Sequence, residues 1–315
     1  MINCTFINNS AKRHGGAINW GGDNNIIKDS IFIGNTANDV GGGVWWVGSN
    51  GTLTGCIFKD NTAKEGGGVR WNGIKGTIIN STFANNVANV GGAINWHGVN
   101  GTIINSTFIN NTGNHNGGAV YITSFGINTA LISSDFIGNT AGSGGAINWG
   151  GINGIISGSN FVNNSANGGG GAINWDSTNG NISNSTFSHN TAKTWNGGGA
   201  ILLNMNGANS IVNNCIFLNN AAITDGGAVT WLATNGILTE STFTSNTATM
   251  EGSAIWWYGA NGTLSKCIFN DNIANRHGGA IHWEGANGTL INSTFTDNMA
   301  KQNGGAILWR GANGT

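Results

Sequence analysis

The chain has 315 residues, with 12 Lys and Arg against 13 Asp and Glu, 55 Gly and no Pro. The missing Pro excludes collagen-like and Pro-rich stalks, and a formal net charge of −1, with no Lys or Arg between Lys75 and Lys193, excludes a nucleic-acid binder. Thirteen Trp and thirteen Phe exclude charge-rich disorder, and no apolar run reaches the ~18 residues of a membrane helix.

Along the chain one pattern recurs. An apolar residue (Met1, Ile27, Leu53) lies five positions before a Phe (Phe6, Phe32, Phe58), and Ser or Cys lies two before it. Three positions after each Phe comes Asn: Asn9, Asn35, Asn61, Asn86, Asn111, Asn139, Asn164, Asn190, Asn220, Asn246, Asn272 and Asn298. Ala follows two residues later in every copy but one, where Gly113 stands. A Gly-Gly block then ends in Trp, from Gly15-Gly16-Ala17-Ile18-Asn19-Trp20 to Gly304-Gly305-Ala306-Ile307-Leu308-Trp309. The spacing is 25 or 26 residues, with two longer gaps.

A repeat this short buries no core alone, so the copies must stack. Ile18 and Trp20 are two apart, hence on one face of a strand, and the variable residue between them is expected to face water. These periods predict an all-β solenoid with three short strands per coil. Phe, Ile and Trp form interior ladders, and Gly-Gly and Asn-Gly pairs supply the positive-φ corners. The Asn column is expected to form an amide ladder that satisfies buried backbone groups at one corner.

Individual residues add detail in chain order. Cys4, Cys56, Cys215 and Cys267 all occupy the Ser column, in pairs two coils apart, too far for a disulfide, and read as interior space-fillers. Arg70 is placed to stack on Trp45. Two copies carry Ile122 and Leu203 where the others have Trp, and both gain two loop residues. Phe125 and Met205 in those loops are expected to fold back over the space left by the indole.

Asp225, Glu251 and His277 stack just before successive Gly-Gly blocks, a set able to bind a cation but read here as a solvated corner where one His flanks two acids. Glu240 with Lys266, and Glu284 with Arg310, are expected to pair across strands. Trp256, Tyr258, His282, Glu284, Leu308 and Arg310 share one outward face, which suits sugar rings or a protein partner. The chain starts and stops in phase, so it reads as a single β-helix domain over 1–315, a segment of a longer surface protein or a unit that stacks end to end with further copies.

The paired motifs, intact in Phe269-Asn270-Asp271-Asn272 and Gly278-Gly279-Ala280-Ile281, resemble the repeats of the bacterial polymorphic outer membrane proteins, and equally those of adhesin-like surface proteins of methanogenic archaea. The resemblance implies a right-handed parallel β-helix of about twelve coils, roughly 26 residues each, and a location at the cell surface or outside the cell. No signal peptide opens the chain at Met1-Ile2-Asn3-Cys4-Thr5-Phe6. The expected function is adhesive, with a glycan or protein of another cell as partner and no nucleic acid. The rival is a polysaccharide-active β-helix lyase or glycoside hydrolase, which requires clustered carboxylates. Most acids sit alone in their columns, so no enzyme is expected, and no catalytic residue, cofactor or metal is assigned.

Overall fold

The computed structural model describes residues 1–194 and 197–315. The protein is all-β, a parallel β-solenoid of about twelve coils with about 26 residues per turn. Its coils group into two compact units, Met1–Ile155 and Ile156–Thr315.

In each unit every coil adds a three-residue strand to the same sheets. The Phe strands run from Thr5–Ile7 to Asp135–Ile137 in the first unit and from Asn160–Val162 to Thr294–Thr296 in the second. The Trp strands run from Ile18–Trp20 to Ile147–Trp149, and from Ile173–Trp175 to Ile307–Trp309. A third set carries the apolar column before Phe, as in Thr77–Ile79 and Thr263–Ser265. Two-residue strands such as Thr191–Ala192 carry the Ala column. Pairing is in register: Phe83 opposes Phe58 and Phe108, and Trp71 opposes Trp46 and Trp96.

The corners explain the Asn-rich composition. Each coil places one residue in the left-handed region at three sites, as in Asn100, Asn105 and Asn110, with φ of 56°, 47° and 52°. Asn tolerates that region better than most side chains. In Asn-Gly pairs it is Asn that takes the positive φ and turns the chain. Gly101 is required for another reason: a Cβ there would lie 2.2 Å from Cζ2 of Trp96. The first Gly of the Gly-Gly block does adopt positive φ, as at Gly91 (62°). The second abuts the next coil; a Cβ on Gly42 would lie 2.2 Å from the Gly67 carbonyl.

Inside, Phe rings stack with centroids 4.5–5.0 Å apart, as in Phe32–Phe58 and Phe83–Phe108. Indoles stack likewise, 4.6 Å for Trp46–Trp71, and Trp96 donates its indole N–H to the Gly98 carbonyl at 2.8 Å. Asn61 donates through Nδ2 to Asn86 Oδ1 (2.9 Å) and to the Phe32 carbonyl (2.9 Å), while its Oδ1 accepts from the Asn35 amide and backbone. The same links join Asn190, Asn220, Asn246, Asn272 and Asn298 in the second unit. A second amide ladder, exposed and unexpected, runs through the corner Asn of the Asn-Gly pairs, as Asn287 to Asn261 to Asn235.

The cysteines behave as Ser does in their column. Cys56 Sγ lies 3.3 Å from the Thr54 carbonyl, as Ser81 Oγ lies 2.8 Å from that of Ile79. All four are free thiols, and burial pushes Cys215 up to about 12 and Cys267 to about 11.

The two coils without indole depart from expectation. Phe125 is 59 % exposed and lies against His97, with ring centroids 4.4 Å apart; Met205 is 70 % exposed. Neither fills the vacated space. The position that is Gly beneath an indole is instead Thr129 or Ser210, both buried. Thr129 Oγ1 donates to the Gly126 carbonyl (2.9 Å) and Ser210 Oγ to that of Gly207 (2.7 Å). A side chain on the opposite wall thus replaces part of the missing ring, and the longer loop closes over it through Gly126 and Gly207.

Candidate functional site

In the second unit the outer face of the Trp strands forms a small lattice. Thr230, Trp256, His282 and Leu308 stand in one column through successive strand pairings. Leu232, Tyr258, Glu284 and Arg310, two residues later in each coil, form the next. On the other side runs the corner segment before each Gly-Gly block, where Glu251 bridges His277 and His277 bridges Asn303.

This face brings the six residues singled out by the sequence onto three adjacent coils, but with different exposure. Tyr258 is 49 % exposed. Trp256 is half-buried, its ring 6.0 Å from that of Tyr258 and tilted by 58°, with its indole N–H buried and unpaired. His282, expected to face water, is 0 % exposed. Its strand does turn it away from the Trp ladder. Trp256 and Leu308 flank it within its column, and Glu251 and Glu284 close its two edges.

His282 Nδ1 contacts Glu251 Oε2, and Nε2 lies 3.3 Å from Glu284 Oε1. Glu284 therefore faces the imidazole, and the expected Glu284–Arg310 pair does not form among the described residues. Lys266 does reach Glu240, at 3.1 Å. The corner trio also rearranges. His277 is buried, and its Nδ1 meets the Asn303 amide at 3.2 Å. Asp225 accepts the Glu251 backbone N–H at 3.1 Å, while the Glu251 side chain turns toward His282. The convergent set is thus Glu251, His282 and Glu284, whose nearest ligand atoms all lie within 4.8 Å of one another.

Burial dominates the electrostatics. It lifts Asp225 to about 6, opposed by the Glu251 N–H and reinforced by the charges of Glu251 and Glu284. It also raises Glu284, with Glu251 adding to the effect, and lowers His282 against the attraction of Glu251. A buried imidazole between two carboxylates can hold a proton or accept a cation.

Glu251 and His282 are 31 residues apart and sit in columns that alternation treats separately. A signal was present in the acids that immediately precede Gly-Gly. Glu65 likewise reaches over the strand face, 3.2 Å from Arg70 and 3.2 Å from the Asn95 amide. Arg70 consequently pairs with Glu65 and does not stack on Trp45, which packs against His14.

Comparison with known proteins agrees with this architecture. Residues 3–19, 105–123, 266–282 and 292–308 match the Chlamydia polymorphic membrane protein repeat, so the chain carries repeats of that type. No curated protein sequence matches the chain. Among solved structures, a mannuronic acid specific family 6 polysaccharide lyase from human gut microbiota superposes with a TM-score of 0.52 at 9 % identity, over 94 % of this chain and 83 % of that one. A family 6 alginate lyase in complex with a trisaccharide gives 0.45 at 11 % identity, over 96 % and 80 %. At 9 % identity the first of these likenesses is one of fold alone.

Proposed function

We propose that the chain is a repeat segment of an adhesin-like protein of a cell surface, attaching to a glycan or protein of another cell through the face centred on Trp256 and Tyr258. The observation that carries this reading is the contrast between interior and exterior. Phe, Trp and Asn recur coil after coil within each unit, whereas the outer columns change at every step, Thr230 to Trp256 to His282 to Leu308. Repetition inside builds a stiff support; variation outside makes one patch distinct. The polymorphic membrane protein repeats support a surface location. The tilted Trp256–Tyr258 pair supports a ligand that offers a flat apolar face and polar edges, as sugars and protein hot spots do.

The test is binding of the purified chain to glycan arrays and to whole cells, beside a Trp256→Ala, Tyr258→Ala variant. Retention by the parent chain and loss of about tenfold or more in the variant are expected. No binding by the parent, or equal binding by both, would overturn the reading.

One observation favours a second reading, polysaccharide cleavage. Glu284, 27 % exposed and 3.3 Å from the buried His282, lies one coil from Trp256 and Tyr258, which would place a carboxyl group backed by an imidazole beside a bound sugar. New reducing ends from uronate polymers, abolished by Glu284→Gln, would support it; their absence across a panel of acidic and neutral polysaccharides would remove it.

A further inference from the structure

We propose that Glu251, His282 and Glu284 hold a divalent transition-metal ion of the zinc class. Attachment through Trp256 and Tyr258 is a separate matter, and neither proposal depends on the other. His282 gives the first reason. Its side chain is fully buried, and both ring nitrogens face carboxylate oxygens: Nδ1 is in contact with Glu251, whereas Nε2, 3.3 Å from Glu284 Oε1, makes no hydrogen bond. A buried polar group without a partner is costly, and buried imidazole nitrogens are ordinarily satisfied. A metal ion would satisfy one nitrogen directly.

The carboxylates give the second reason. Glu251 and Glu284 approach the same ring from its two edges, each partly buried. Two like charges so placed repel, and one dication would balance both without leaving net charge inside.

The donor set gives the third. One imidazole nitrogen with two carboxylate oxygens suits zinc and its neighbours. Calcium and magnesium prefer all-oxygen shells of six or more ligands. The 3.3 Å between His282 Nε2 and Glu284 Oε1 is close to the edge of a tetrahedron with metal–ligand bonds of about 2.0–2.2 Å. Glu251, the third member, lies within 4.8 Å of the other two ligand atoms but sits at Nδ1, so it joins the ion by rotating its side chain from that edge of the ring to the Nε2 side. Three protein ligands leave a fourth tetrahedral position for water or a ligand oxygen.

The test is calorimetric titration of the chelator-stripped chain with Zn²⁺ at neutral pH, with circular dichroism to verify folding. One equivalent should bind, and Glu251→Gln and Glu284→Gln should each weaken it about tenfold or more. Asp271→Asn, an exposed acid outside the cluster, should change nothing. His282→Asn should abolish binding; if that variant does not fold, the two Gln variants decide, because they keep side-chain size. Binding below one equivalent, affinity unchanged in both Gln variants, or stoichiometric Ca²⁺ binding without Zn²⁺ would overturn the proposal.

Discussion

Replacing Asn111 by Ala tests the interior amide ladder at a single rung. Asn111 Oδ1 accepts from the Asn86 backbone N–H (3.0 Å) and from Asn86 Nδ2 (3.0 Å). Its own Nδ2 donates to Asn139 Oδ1 (3.0 Å) and to the Phe83 carbonyl (2.9 Å). The substitution removes all four bonds. Asn139 Oδ1 keeps the Asn111 backbone N–H at 2.9 Å, so the main loss falls on Asn86, where two buried donors lose their acceptor. At about 1–3 kcal/mol for each orphaned donor the cost is about 2–6 kcal/mol. The control is Asn110→Ala, one residue earlier. That site is exposed and left-handed (φ 52°), so Ala there should cost only about 1–2 kcal/mol of backbone strain. Asn111→Asp sharpens the comparison: the carboxylate still accepts from Asn86, yet sets oxygen against oxygen at Phe83 and Asn139, and should be at least as harmful at neutral pH. Urea unfolding followed by circular dichroism measures all three. If Asn111→Ala is no worse than Asn110→Ala, the ladder contributes nothing beyond its backbone and the reasoning fails.

Other predictions follow from packing and burial. At pH 8, Cys4 should alkylate first, while Cys56, Cys215 and Cys267 should react only as fast as the chain unfolds; rapid labelling of all four would refute their interior placement. Because burial raises Cys215 from 9.0 to about 12, its contribution to stability is intact below pH 9 and is lost as pH rises toward 12, where the unfolded thiol ionises first. Cys215→Ser should flatten that alkaline fall in a urea series at pH 8, 10 and 11. Gly101→Ala should cost about 1–3 kcal/mol by displacing the Trp96 indole, whereas Gly21→Ala, with nothing within 4 Å, should stay within about 0.5 kcal/mol; equal melting temperatures would refute the packing role of Gly101. Phe125→Ser and Met205→Ser should leave the melting temperature nearly unchanged, and a large drop in either would restore the hole-filling idea that their exposure contradicts.

The strands, their order and the Phe, Trp and Asn ladders were legible because each column repeats a single physical requirement. Phe108 must be buried wherever its neighbours are, and Asn111 must satisfy the same corner groups in every coil. His282 was not legible in that way. Alternation assigns a residue to one side of a strand, but exposure depends on what passes over that side. There the path of the corner segment brings Glu251 across, and the variable neighbours Trp256 and Leu308 complete the cover. Phe125 and Met205 misled for a related reason. Their hydrophobicity suggested an interior partner, while the volume that mattered was added at Thr129 and Ser210, through the replacement of Gly on the facing wall. In each case the repeat described a position and the exception lay in its surroundings.

The indole stack has an optical consequence. Trp231, Trp257, Trp283 and Trp309 lie with centroids 4.5, 4.6 and 4.6 Å apart and ring planes within 5° of parallel. At that spacing excitation absorbed by one ring migrates to the next before it is emitted, so the four act as one chromophore. Because the rings share an orientation, migration does not scramble polarisation, and the emitted light keeps the direction of the absorbed light. A quencher that reaches any ring darkens its neighbours as well. Trp257→Phe cuts the series in two, and the resulting change in near-ultraviolet circular dichroism should exceed one quarter of the ladder's signal, since it removes coupling as well as a ring.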